Sequence, residues 1–535
     1  MSPVATTRPL GELVDRLTAE SRLRGTRSAG RPVATGGVAA VQVTGVTHDS
    51  REVRPGMLFV AIPGLRVDGH DYVPLALEAG AAGVIVEQPV AGVAAPQLVV
   101  DAARPSLASA AAWWYGDPSH EMAVIGITGT DGKTTTSYLA VAAMEAAGMQ
   151  TGMIGTIATR IGGVTDDHAE HATTPEAPEL QATLRAMADA GDQAAVIETT
   201  SHGLALDRVG SVAYDVAILT NVTHEHLELH GTWEAYRDAK LSLFDRLRLA
   251  RRVTKPHPVR TTAIVNLDDP SAGLFVGTSR DAGARVITYG TEPAADVRAT
   301  RISEDAGGLH AAVTMASGEA TVDLRLAGRF NVHNALAVVA LGDALGLDPA
   351  RVRDGLARVD VVPGRMERID LGQPFGVVVD FAHSPASLAT VLDLLAPSAA
   401  ARGGGLIAVF GSAGERDTAK RPQMGRIAGD RARLVVVTDE DPRGEDREAI
   451  LDEIARGAEA AGRRRGHDLL LIADRREAIA AAFEAARPGD IVLLAGKGHE
   501  RSIIGPDGER PWDERSVAKE LLEALGHARD GVARP

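Results

Sequence analysis

Gly129, Gly132, Lys133 and Thr134 fall together in Val124-Ile-Gly-Ile-Thr-Gly-Thr-Asp-Gly-Lys-Thr-Thr-Thr136, and these residue types in this order suit the binding of a nucleotide's phosphates. The apolar run Met122 to Ile127 predicts a buried strand, and a helical pattern follows from Lys133 to about Met149. Glycines at such a junction let backbone N–H groups converge on a phosphate without side-chain clash. The new helix adds the positive end of its dipole, Lys133 adds a charge, and Thr134 offers a hydroxyl to a magnesium ion. Strict P-loop spacing places a glycine where this chain has Ile127, so the pattern is close but incomplete. An ordinary tight turn accounts for the glycines but not for Gly-Lys-Thr-Thr between strand and helix.

Glu198 closes another apolar run, Ala194 to Thr199, where a carboxylate could ligate Mg²⁺ beside the phosphates. His226 follows the next apolar run and could be a second ligand, with His224 and His230 nearby. Their spacing fits no common zinc pattern, and no HExxH occurs. Lys240 lies on a helical stretch, Trp233 to Leu247, where by itself a lysine reads as solvated. The guanine-reading Asn-Lys-x-Asp motif and the protein-kinase signatures are absent, which leaves an ATP-using enzyme with a second substrate.

The chain that must position these groups has 535 residues, 45% hydrophobic and 24% charged, enough for three or four soluble domains. Aromatics make up 3%, and the abundance of Ala, Val, Leu and Gly suits compact α/β layers. A formal charge of −15 argues against a general nucleic-acid binder, and the lack of cysteine excludes disulfides, thiolate metal sites and cysteine catalysis. No apolar run approaches the roughly 20 residues of a membrane span, and the N-terminal arginines are followed by no apolar h-region. A cytoplasmic location without membrane insertion is expected, with residues 1 to about 35 as a partly disordered tail.

From Val41 to about Asp117 the pattern is a small α/β unit holding Asp49-Ser-Arg51 and Gly69-His-Asp-Tyr72. Taken alone, Ser50, Arg51 and His70 read as turn or surface residues. A second unit starts near Glu121, with strands predicted at 152–159, 194–199, 216–220 and 262–266 and helices at 178–190 and 233–247. Alternating strand and helix implies a mostly parallel sheet whose ligands gather at the strands' carboxyl ends. Polar clusters sit there: Thr173-Thr-Pro175, Glu198-Thr-Thr-Ser-His202 and Thr220-Asn-Val-Thr-His-Glu-His226. After Val362 a third α/β unit has strands predicted at 375–380, 406–410, 434–438, 469–472 and 491–494. Two α/β units with a phosphate loop in only the first suggest a ligand cleft between them. The run Arg463-Arg-Arg465 reads as a solvated helix end.

The loop Gly126 to Thr136 resembles the phosphate loop of the Mur ligases, which build the peptide stem of bacterial peptidoglycan. Gly328-Arg-Phe-Asn-Val-His-Asn334, Pro363-Gly-Arg-Met-Glu367 and Val379-Asp-Phe-Ala-His-Ser-Pro385 resemble later motifs of that family in the same order. Within it the chain is most similar to the MurE type, which adds the third residue to UDP-N-acetylmuramoyl-L-alanyl-D-glutamate. The stretches that carry this include Asp49-Ser-Arg51, Tyr236-Arg-Asp-Ala-Lys240, Gly414-Glu-Arg-Asp417, Asp441-Pro-Arg443 and Gly496-Lys-Gly-His-Glu500. The resemblance implies a small N-terminal α/β domain that binds UDP (36–120), a central P-loop-type, parallel-sheet ATP-binding domain (121–360) and a C-terminal Rossmann-like domain for the incoming amino acid (361–535). It implies that Gly129, Thr130, Asp131, Gly132, Lys133, Thr134 and Thr135 hold ATP, with Asn334, Arg365 and Asp380 reaching it across the cleft. Thr134, Glu198 and His226 would ligate Mg²⁺, joined by Lys240, which matches a lysine carbamylated in the family. Ser50 and His70 would bind the UDP portion, and Thr173, Thr174, Thr200 and Arg208 the muramoyl dipeptide. Arg416, Asp441, Arg443, Gly496 and Glu500 would bind the diamino acid. The expected partners are these small molecules, with no nucleic acid, and the expected state is a monomer.

The chain departs from the family pattern at Asp131, usually Asn; at Thr199, Thr200, Ser201 and His202, usually Val-Ser-Ser-His; and at Leu206, where a glutamine contacts the muramoyl peptide in some members. The departure that bears on substrate is Glu440-Asp-Pro-Arg443, where diaminopimelate-adding members read Asp-Asn-Pro-Arg and lysine-adding members lack the arginine. Arg443 suits a bidentate contact with the distal carboxylate of meso-diaminopimelate, whereas an ionised Asp441 favours a free ammonium. Diaminopimelate is the favoured acceptor, with L-lysine or L-ornithine open. The rivals are a folylpolyglutamate-synthetase-like ligase, against which Asp49-Ser-Arg51 and Asp441-Pro-Arg443 argue, and a non-catalytic nucleotide switch, which would need Lys133 but not Glu198, His226 and Lys240 as well.

Overall fold

The computed structural model describes residues 7–64, 67–166, 172–223, 227–256, 258–305, 308–316 and 318–527. The helix Leu10–Ala19 carries Leu10, Leu13, Val14 and Leu17 at helical spacing, all buried in the first core with Leu107 and Trp113. Strands Leu23–Ser28 and Arg31–Val33 then join a six-stranded sheet through the antiparallel neighbour Gln97–Val100, which continues in parallel through Gly83–Val86, Leu58–Val60 and Val46–Thr47. The expected disordered tail through residue 35 is therefore corrected: from Arg8 to Val33 the chain is part of this domain. Its arginines masked an amphipathic helix, and Arg16 pairs with Asp117 at 2.8 Å rather than standing free in solvent.

The central sheet has eleven strands. Its middle is parallel, as expected, in the order Thr151–Ile154, Ala194–Glu198, Ala123–Thr128, Val216–Leu219, Thr262–Asn266 and Arg285–Gly290. These strands are nearly all apolar and buried, as a sheet covered by helices on both faces requires. The run expected as one strand over 152–159 ends at Ile154, and after residues 155–158 the chain folds back as the antiparallel strand Thr159–Ile161. A Cβ on Gly155 would lie 2.4 Å from Glu198 Oε1, so the chain turns there against that carboxylate. Beyond Gly290 the strand Val297–Asp305 adds in parallel, and the sheet then turns antiparallel through Gly308–Met315 and Gly318–Leu324, strands whose alternating polar residues hid them from a search for buried runs.

The third sheet has six strands in the order Glu367–Ile369, Gly376–Asp380, Ile491–Ala495, Leu406–Phe410, Leu434–Val437 and Leu469–Leu471, parallel except at the first. Separate apolar cores on its two faces make it doubly wound. The helix Arg447–Ala460 ends before Arg463-Arg-Arg465, and Arg465 pairs with Asp452 and Glu459. Among the described residues no helix is long and apolar enough to cross a membrane.

Candidate functional site

The strand Ala123–Thr128 and the helix Lys133–Ala146 hold the phosphate loop between them. Gly129 (φ 154°) leaves no room for a side chain, since its Cβ would stand 1.8 Å from Thr220 Oγ1; that of Gly132 (φ 84°) would stand 2.5 Å from Asn334 Oδ1. Asn334, from the helix Asn331–Leu345, is thus packed on the loop and accepts from Thr136 Oγ1 at 3.2 Å. Thr220 Oγ1 donates to Asp131 O (2.6 Å), and Thr130 Oγ1 lies 3.0 Å from Tyr236 Oη, so the loop is held from the sheet and from the helix Trp233–Asp245. Thr130 through Thr135 all line one cavity of about 1440 Å³.

Lys133 Nζ donates to Gly129 O (2.9 Å) and Thr130 O (2.7 Å). Lys240 Nζ donates to the same Gly129 O at 2.7 Å and lies 4.4 Å from the centre of the Tyr236 ring. Lys240 is 1% exposed, so it is no solvated helix lysine. Glu198 is fully buried; its Oε2 accepts from Thr134 Oγ1 (2.9 Å) and Thr156 Oγ1 (2.8 Å), and its Oε1 accepts from Thr156 N (3.1 Å). These neutral donors leave its charge uncompensated among the described residues, and the donor set beside it is oxygen-rich and hard, as Mg²⁺ prefers. His226 and His224 lie outside the described residues. The ring of His230 packs on Tyr236 at 5.4 Å and on His202 at 5.8 Å.

Thr173 and Thr200 also line the cavity. Thr174 is buried and donates to Glu198 O (2.8 Å), while Thr200 Oγ1 caps the short helix Ser201–Ala205. Arg208 donates to Thr174 O (2.8 Å) and pairs with Glu176 (2.7 Å), so Thr174 and Arg208 shape this wall from behind. Ser50 and His70 belong to the N-terminal domain and do not line the cavity. His70 Nδ1 is 2.7 Å from Asp68 Oδ1 and its Nε2 accepts from Glu87 N (3.1 Å). Beside Ser50, the Arg51 guanidinium holds the Asp49 carboxyl down at about 2.

The third domain supplies the opposite wall. Asp380, at the end of Gly376–Asp380, accepts from Met366 N and Ala382 N, each at 2.8 Å. Burial pushes its pKa up, Arg365 opposes this, and Asp131 of the phosphate loop adds to it, which places Asp380 within electrostatic reach of that loop. The Arg365 guanidinium lies 4.7 Å from the Phe381 ring centre.

Farther along the cavity are Arg416, Asp441, Arg443, Lys497 and Glu500. Arg443 adopts φ 55°, donates its backbone N–H to Ile504 O (2.9 Å) and has a buried Nε with no hydrogen-bond partner among the described residues. Gly496 (φ 100°) turns the chain out of Ile491–Ala495 with Glu440 packed alongside. Sequence reasoning passed over Lys497, which is 1% exposed and lies 2.8 Å from Asp441 Oδ1 and 2.6 Å from Glu500 Oε2. A lysine between two glycines directly after a buried strand was the available signal. It also passed over Arg421, fully buried on the helix Lys420–Arg431. Arg421 bonds Glu445 (2.7 and 2.8 Å), Glu453 (2.9 Å) and Ala413 O (3.2 Å), and Glu445 in turn accepts from Glu415 N (3.0 Å). This clamp lays the turn bearing Arg416 on the turn bearing Arg443, and it holds the Glu445 carboxyl down at about 2.

Residues 42–112 match the family described as Mur ligase family, catalytic domain, residues 127–342 the Mur ligase middle domain, and residues 364–498 the Mur ligase, glutamate ligase domain. A UDP-N-acetylmuramyl-tripeptide synthetase of Roseiflexus sp. (strain RS-1) is 49% identical over 91% of this chain and 96% of its own length. A UDP-N-acetylmuramoyl-L-alanyl-D-glutamate--2,6-diaminopimelate ligase of Geobacter metallireducens is 41% identical over 92% of this chain and 96% of its own. A solved structure of a ligase of that same name superposes with a TM-score of 0.62 at 30% identity, covering 92% of this chain and 97% of the other.

Proposed function

The chain belongs to the Mur ligase family and has its three-domain α/β architecture, and from that premise we propose that it joins meso-diaminopimelate to UDP-N-acetylmuramoyl-L-alanyl-D-glutamate in peptidoglycan precursor synthesis, at the expense of ATP. The observation that carries the chemistry is the buried Glu198 carboxylate bonded to Thr134 at the start of the phosphate-loop helix. The likeness to relatives named as tripeptide synthetase and diaminopimelate ligase supports the substrate pair.

The phosphate loop, Gly129 to Thr135, binds the ATP phosphates through its N–H groups, and Asn334, Arg365 and Asp380 reach ATP from the far side of the cleft. Lys133 takes up charge on the γ-phosphate, so that the γ-carboxylate of the D-glutamyl residue can approach a second anion. That carboxylate displaces ADP and forms an acyl phosphate. The neutral amine of the diamino acid then attacks the acyl carbon, and inorganic phosphate leaves. Thr173, Thr200 and, through the wall behind them, Thr174 and Arg208 position the muramoyl dipeptide, whose uridine diphosphate reaches Ser50 and His70. Approach of the third domain excludes water from the acyl phosphate.

Thr134 and Glu198 would hold Mg²⁺, with His226 and Lys240 completing the set, and the ion when bound supplies neutralisation of phosphate charge. Lys240 is buried on the loop, with its Nζ 2.7 Å from Gly129 O, and would enter the set as a carbamate. A carbamate, formed from the neutral amine and CO₂ with release of a proton, keeps one N–H for Gly129 O and turns the charge negative.

Phosphate release from ATP is expected only when the UDP-muramoyl dipeptide and a diamino acid are both present. Equal release with either omitted would reject the ligase.

A further inference from the structure

We propose that Lys497 sets which diamino acid the site selects, by cancelling the charge that Asp441 would otherwise offer to a substrate ammonium. The inference deepens the ligase reading and rests on it. Asp441 is 7% exposed, and one of its oxygens, Oδ1, accepts from both Lys497 Nζ (2.8 Å) and Ile504 N (3.0 Å). Lys497 is almost fully enclosed and reaches Glu500 with the same ammonium at 2.6 Å. Burial works against its charge, but Glu500 and Asp441 outweigh that and hold its pKa above the ordinary lysine value, so it stays protonated. Asp441 therefore meets an incoming substrate as half of an internal ion pair. A substrate ammonium placed on Asp441 would stand beside a second ammonium that cannot move away into solvent.

The cations that remain are Arg443 and Arg416, neither of which has a carboxylate partner among the described residues. With the attacking amine neutral, meso-diaminopimelate carries two carboxylates and one ammonium, whereas L-lysine carries one of each. The distal carboxylate of the first can engage the guanidinium of Arg443. L-lysine would leave Arg443 unpaired and bring its ammonium toward Lys497. An aspartate at position 441, which by its formal charge would invite lysine, is thus already engaged through its Oδ1 by an ammonium from another strand end. Buried pairs of this kind set specificity through what they refuse as much as through what they bind.

The experiment measures kcat/KM for meso-diaminopimelate and for L-lysine, and takes their ratio, in the unaltered chain, Lys497→Met, Asp441→Asn and the double variant. Thermal melting shows which variants fold. Lys497→Met should lower the diaminopimelate-to-lysine ratio by about tenfold or more, chiefly through the two KM values, and adding Asp441→Asn should restore it to within about threefold of the original. If Lys497 is only structural, both acceptors lose the same factor and the ratio stays put, which overturns the proposal. Should Lys497→Met fail to fold, Asp441→Asn alone decides. A silenced Asp441 predicts a ratio changed less than about fivefold, and a larger rise means that Asp441 reads the substrate directly. An unchanged ratio in active variants defeats only this inference, whereas phosphate release by the unaltered chain that ignores every acceptor defeats the ligase reading and this inference together.

Discussion

At the phosphate end of the cleft, Lys133 and Lys240 both donate to the neutral carbonyl of Gly129, while Glu198 is bonded to neutral hydroxyls. At the acceptor end, Lys497 is locked between Asp441 and Glu500, and only Arg443 and Arg416 stand without carboxylate partners among the described residues. The contrast follows from what each end must do. A triphosphate and its metal bring dense charge, and Lys133, whose bonds are to two neutral carbonyls, stays available to it. A diamino acid brings small charges of both signs, and discrimination requires most of the protein's charges to be settled beforehand.

The largest effect tests the phosphate end. Lys240→Ala should lower kcat by about a hundredfold, because the buried position then offers no charged group to the metal site. A short carboxylate such as acetate should restore part of the rate, and a mass increase of one CO₂ on the intact chain would mark the carbamate directly. Full activity in the variant would erase the contrast between the ends, since Lys240 would then be packing.

A smaller effect tests the acceptor end through a residue that touches no substrate. Arg421→Met should raise the KM of the diamino acid by about tenfold while leaving the KM of ATP within about twofold, because Arg421 holds the turns of Arg416 and Arg443 but no part of the phosphate loop. An equal rise in both would show that the two ends are not separable.

The smallest effect is on stability. The Glu445 carboxyl is held at about 2 in the folded chain, chiefly by hydrogen bonds from Arg421, against 4.5 as its reference value. A depressed carboxyl stabilises the fold fully above its unfolded value and loses that contribution as pH falls toward the folded one. The melting-temperature gap between the unaltered chain and Glu445→Gln should therefore shrink as pH is lowered from about 5 to about 2.5. A gap constant across that window would mean that Glu445 is not held by charge.

How much of this was legible in the residues differs between the ends in the same way. The phosphate end is built from one contiguous loop, and glycines, a lysine and threonines at fixed offsets announce it. The strand ends bearing Glu198 and Asp380 were visible as apolar runs that stop at an acid. Lys240 was not legible from physics alone, because its burial depends on Tyr236 and on a loop a hundred residues earlier; only the resemblance singled it out. The acceptor end is assembled from turns after separate strands, so neither the pairing of Lys497 with Asp441 nor the Arg421 clamp could be read from spacing. The N-terminal helix was misread because its arginines outweighed four buried leucine and valine positions. The antiparallel strands from Val297 to Leu324 escaped because one face of each is polar.

The most direct test of the central claim offers meso-diaminopimelate, L-lysine and L-ornithine in parallel to the chain with ATP, Mg²⁺ and the UDP-muramoyl dipeptide, and reads kcat/KM for each. The account predicts the highest value for meso-diaminopimelate, by about tenfold or more. A higher value for L-lysine or L-ornithine would contradict it, and would show that Asp441, rather than Arg443, reads the distal end of the substrate.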